Sequence, residues 1–129
     1  MRYFYDTEFI EDGTTIDLIS IGVVAEDGRE FYAVSTEFNA HRAGQWVQKN
    51  VLPQLPPRSD KAWMDRATIR TKLHEFLVPE RATKARGKPV ERPELWAWVG
   101  AYDHVALAQL WGDMTGLPAD LPRFTHELK

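Results

Sequence analysis

Three β-rich runs near the start of the chain, separated by turns of only a few residues, constrain its fold more than any other feature. Residues 3–9, Tyr3-Phe4-Tyr5-Asp6-Thr7-Glu8-Phe9, form the first. Asp12-Gly13-Thr14 reads as a turn, and residues 16–25 form a second run rich in Ile and Val, too continuously apolar for a sheet edge. Glu26-Asp27-Gly28 is a hairpin turn into a third run, residues 30–34. Strands joined this closely can only pair antiparallel with their neighbours, so the first third of the chain is predicted to be a three-strand antiparallel meander.

The first strand carries two acids one residue apart. Side chains alternate along a strand, so Asp6 and Glu8 share one face. Two carboxylates on one face repel each other unless a cation, a shared proton or solvent relieves them. A hard divalent cation suits oxygen ligands held this way. The plainer reading is a strand running out into a wet hairpin, with Glu11 and Asp12 continuing the polar end.

Beyond the meander the periodicity changes. Trp46, Val47, Val51 and Leu52 fit one face of a short helix that Pro53 ends, and Pro53, Pro56 and Pro57 stiffen the connection that follows. Ile69, Leu73, Phe76 and Leu77 recur at helical spacing up to Pro79. Residues 80–93 form a polar loop bearing Arg81, Lys84, Arg86, Lys88 and Arg92. It reads either as a solvated connector or as an arm that guides phosphates. Residues 95–99 are a bulky, buried-looking fourth strand. Val105, Leu107, Ala108, Leu110 and Trp111 make an amphipathic helix ending near Gly112 or Gly116. Asp103 stands at the handover between them, where an N-cap would by itself explain an acid. A further strand is expected from Leu121, and residues 125–129 read as the first turn of a helix.

The pattern implies an α/β fold with a mixed sheet, the first strand central between the meander and a parallel fourth strand. That topology brings Asp6 and Glu8 beside Asp103, and three clustered carboxylates call for divalent cations.

Composition narrows the chemistry. At 129 residues, 43% of them hydrophobic and five of them Trp, the chain is one packed domain. It has no cysteine, which excludes disulfides and thiolate chemistry and favours Mg²⁺ or Mn²⁺ over structural zinc. No run is long enough to span a membrane and no signal peptide is evident, so a cytoplasmic protein is expected. The net charge of −3 argues against a protein coated in nucleic acid, but not against an enzyme that meets a phosphate chain at a metal site. The Trp residues are core or dimer-interface candidates, and a homodimer is expected.

Asp6-Thr7-Glu8, a meander, a helical stretch and then Trp98-Val99-Gly100-Ala101-Tyr102-Asp103-His104 together resemble the Asp-Glu-Asp-Asp-His 3′-5′ exonuclease superfamily, which has the ribonuclease-H-like fold. Within it the chain is most similar, over essentially its whole length, to the mycobacterial-type polyadenylate-specific 3′-exoribonucleases. The resemblance implies that Asp6 bridges two metals, Glu8 helps hold the nucleophile-side ion and Asp103 anchors the other through water. It places Phe9 beside the terminal base or ribose and the backbone around Thr7 along the nucleotide pocket. Arg81, Lys84, Arg86 and Lys88 would then contact substrate. The implied activity is two-metal hydrolysis of single-stranded RNA 3′ ends, or 3′ overhangs, to nucleoside 5′-monophosphates.

One departure stands out. The superfamily's third motif is a His with an Asp five residues later. Five residues after His41, His74 and His104 come Trp46, Pro79 and Gln109, and His126 lies too near residue 129. The expectation is therefore a single exonuclease-like domain truncated before its third motif, inactive as it stands. The competing readings are a non-catalytic nucleotide or nucleic-acid binding module on the same fold, and a carboxylate-metal phosphohydrolase acting on free nucleotides.

Overall fold

The computed structural model describes residues 1–79, 92–98 and 100–128. β1 (Arg2–Glu11), β2 (Ile16–Ala25) and β3 (Glu30–Ser35) form the meander. β4 (Trp63–Met64), β5 (Glu94–Ala97) and β6 (His126–Glu127) complete a six-stranded mixed sheet in the order β4-β3-β2-β1-β5-β6. β1 is central, antiparallel to β2 and parallel to β5.

Three α-helices are described: α1 (Gln45–Asn50), α2 (Arg66–Leu77) and α3 (Gly100–Ala108). The Asp65 side chain caps α2 by accepting from the Thr68 amide, and the helix stops just short of Pro79. The two sheet faces carry separate cores. On one, Ile69, Leu73 and Leu77 of α2 and Leu107 of α3 pack against Tyr3, Tyr5 and Ile21. On the other, Val47 and Val51 of the α1 region cover Ile10 and Ile19. The β1–β2 register slips between Glu8 and Phe9, so that Glu8 faces Ser20 while Phe9 faces Leu18. The extra residue, Ile19, is fully buried in the second core. A bulge of this kind re-aims side chains, and this one falls directly after the acidic pair.

Several expectations are corrected. Residues 125–128 do not start a helix, and no strand begins at Leu121. His126 and Glu127 instead pair in parallel with Trp96 and Ala97, giving the outer edge of β5 a hydrogen-bonding partner. The two-residue β4 was not foreseen, being too short to show an alternation. Trp46 is 67% exposed and lies off the buried face of α1. Trp98 is equally exposed and follows β5 without joining it. Asp103 sits inside the first turn of α3 and is not its N-cap. Arg81, Lys84, Arg86 and Lys88 lie outside the described residues. Among those described, no helix is long and apolar enough to cross a membrane.

Candidate active site

β1 pairs with β2 along nearly its whole length but with β5 only at Arg2, Tyr3 and Phe4. Past Phe4 the β5 side of the strand is therefore open, and its backbone needs other partners. Asp103 supplies one. Its Oδ1 accepts the Thr7 amide hydrogen at 3.1 Å and also the Thr7 hydroxyl hydrogen. Asp103 and Thr7 are both buried. The first turn of α3 also favours a carboxylate through its unsatisfied amides.

Asp6 and Glu8 point to the opposite face from Thr7 and Phe9. Both line a cavity of about 320 Å³ bounded by Ser20, Tyr32, Trp46 and Gln54. Burial, and then the neighbouring Asp103, push the Asp6 carboxyl above the usual carboxylate range. Glu8 is raised by burial, then by Asp6 and Asp103. Asp6 is exposed, so solvent tempers its shift. None of the three carboxylates takes part in an ion pair among the described residues.

The donor chemistry suits a hard divalent cation: oxygen ligands, mutual repulsion and, among the described residues, no protein cation paired with them. The geometry fits less fully. Among the described residues, no three His, Asp or Glu side chains converge closely enough to hold one ion. Asp103 has Oδ1 committed to both donors of Thr7.

Phe9 is half-buried, with its ring centroid 6.0 Å from that of Tyr102, the residue before Asp103. The Thr7 hydroxyl is taken up by Asp103, so Thr7 organises the acidic cluster. His104 is buried and its Nε2 lies 3.2 Å from the Pro122 carbonyl; burial lowers its pKa, so it serves as a neutral structural donor. His126 stacks on Trp96 at 4.4 Å and is only partly exposed. Tyr32, Trp46, Asn50 and Gln54 line the acidic cavity but were not singled out from sequence. The available signal was Gly22, isolated within an apolar strand, which marks a place where something approaches the backbone.

The six-stranded mixed sheet, with Asp-x-Glu on its central strand and an Asp returned by the helix after the parallel neighbour, defines an α/β domain with carboxylates gathered at its central strand. Comparison with known proteins specifies it further. The chain belongs to the 3′-5′ exoribonuclease Rv2179c-like family, whose domain matches residues 1–124. It is 64% identical, over all of its 129 residues, to the 3′-5′ exoribonuclease Rv2179c of Mycobacterium tuberculosis strain H37Rv, of which it covers 72%. The 3′-5′ exoribonuclease MT2234.1 of M. tuberculosis strain CDC 1551 shows the same identity and coverage.

Proposed function

We propose that the chain carries the carboxylate centre of a 3′-5′ exoribonuclease that hydrolyses single-stranded RNA ends, including 3′ overhangs, to nucleoside 5′-monophosphates. The observation that carries this reading is the approach of Asp103 to β1, which puts a third carboxylate within electrostatic reach of Asp6 and Glu8. The names of the 64%-identical relatives support the reaction class.

Asp6, Glu8 and the remaining oxygen of Asp103 would hold Mg²⁺ or Mn²⁺. When bound, a pair of such ions lowers the pKa of water and stabilises the departing 3′-oxygen. The chain's own part is positional. Thr7 orients Asp103, Phe9 meets Tyr102 beside them, and the cavity beside Asp6 and Glu8 receives the terminal nucleotide. A His and a fourth Asp at the spacing the resemblance implies are not found in residues 1–129, so full activity is proposed for the protein at the length of its longer relatives.

A second reading, a nucleotide or nucleic-acid binding module without catalysis, draws support from the absence of a converged three-ligand set among the described residues. The two readings separate when 5′-labelled and 3′-labelled single-stranded RNAs are incubated with Mn²⁺ and the protein at its relatives' length. An exonuclease shortens the 5′-labelled strand one nucleotide at a time and releases the 3′ label at once. Internal cuts, or loss beginning at the 5′ end, would overturn the proposal, and intact RNA that is nevertheless bound would favour the module.

A further inference from the structure

Two cavities open on the acidic face of the sheet, and Asp6, Gly22 and Tyr32 line both. The smaller, about 320 Å³, is walled by Trp46, Asn50 and Gln54 from α1 and the turn after it. The larger, about 920 Å³, runs past Phe4 and Val24 and is lined by Lys61 and Lys72. The three shared residues are cross-strand neighbours, Asp6 opposite Gly22 and Gly22 opposite Tyr32. Directly opposed residues project from the same face, so the missing side chain at Gly22 leaves a saddle between a carboxylate and an aromatic ring. A Cβ added at Gly22 would meet only the Tyr32 Cδ1, at 3.8 Å, an ordinary contact. The backbone there does not demand glycine through a positive φ. What the glycine provides is open space on the sheet surface.

We propose that Tyr32 is a specificity-determining residue that, with the gap at Gly22, divides the site into a one-nucleotide chamber and a strand chamber. The linkage to be cut crosses the saddle beside Asp6. This inference rests on the exoribonuclease reading above and adds the path of the substrate to it. The smaller cavity lies at the low end of the size range for small-ligand sites, enough for a single nucleotide, and α1 closes its far side. The larger is open; Lys61 and Lys72 on its wall can meet phosphates, while Glu30 and Asp60 on the same wall limit how many. Tyr32 is 47% exposed, leaving a ring face for a base to stack on at the boundary.

The test is binding by the 129-residue chain in Ca²⁺, read by calorimetry, with adenosine 5′-monophosphate and a pentaribonucleotide as probes. Wild-type protein should bind both, the pentamer more tightly. Tyr32→Ala and Gly22→Val should each weaken the pentamer about tenfold and the monophosphate by a clearly smaller factor, since both residues line the two chambers but only the pentamer must cross between them. Tyr32→Phe, which keeps the ring, should stay close to wild type. Gly22→Ala, whose added methyl makes only an ordinary contact, guards against a folding defect in Gly22→Val and should weaken the pentamer in the same direction. Equal losses for both probes, or none, would overturn the division into chambers. If wild-type protein binds neither probe at this length nor at that of its relatives, the functional reading itself fails, and this inference falls with it.

Discussion

Asp103 accepts hydrogen bonds from both the amide and the hydroxyl of Thr7, a residue 96 positions earlier in the chain. One oxygen thereby closes the free edge of β1 where β5 no longer pairs with it, and the same carboxylate adds to the burial that raises the pKa of Asp6 and Glu8 on the other face. Structural and chemical roles meet in one side chain, and substitution can separate them.

Asp103→Ala leaves two buried Thr7 donors without an acceptor and should cost about 1–3 kcal/mol in urea unfolding. Asp103→Asn keeps a carbonyl oxygen for those donors and should cost less than about 1 kcal/mol, yet remove the charge the site needs. Equal destabilisation by the two variants would contradict the hydrogen-bonding role given to Asp103.

The raised carboxyls of Asp6 and Glu8 predict a pH dependence of definite sign. Their folded-state values lie above the unfolded ones, so the folded state binds protons more readily, and stability falls as pH rises from the ordinary carboxylate range through the raised values. Asp6→Asn should raise the Tm at neutral pH and reduce that fall. Added Mn²⁺ should raise the wild-type Tm at neutral pH and lose its effect as protons compete below that window. Thermal melts across pH, with and without Mn²⁺, check both statements.

Phe9→Ala removes the ring that meets Tyr102 beside the acidic strand. It should raise KM for RNA about three- to tenfold, leaving kcat within about twofold, as expected for loss of binding shared by ground and transition states. A fall in kcat with unchanged KM would instead place Phe9 in the chemistry.

Much of the fold could be read because its signals are local. The meander is written in alternating side chains and Gly-containing turns, and Ile69, Leu73 and Leu77 repeat at helical spacing. Asp6 and Glu8 share a face by strand alternation alone. Other features depend on tertiary contacts that no short window contains. β6 is a strand because the edge of β5 offers unpaired backbone groups, which overrides the helical look of residues 125–129. Trp46 and Trp98 are exposed despite their bulk, since hydrophobicity does not say which side of an element is covered. The Thr7–Asp103 bond, the bulge at Ile19 and the place of Tyr32 beside Asp6 all arise from register between distant segments.

We propose the Asp6 face as a cation-dependent exonuclease centre whose charge is kept for chemistry at some cost to stability. The most direct measurement is the rate of 3′-nucleotide release in Mn²⁺ by Asp6→Asn protein at its relatives' length, taken alongside its Tm. The account predicts a loss of at least about a thousandfold in rate with a Tm equal to or above that of wild type. Release at the wild-type rate by a folded Asp6→Asn protein would contradict it.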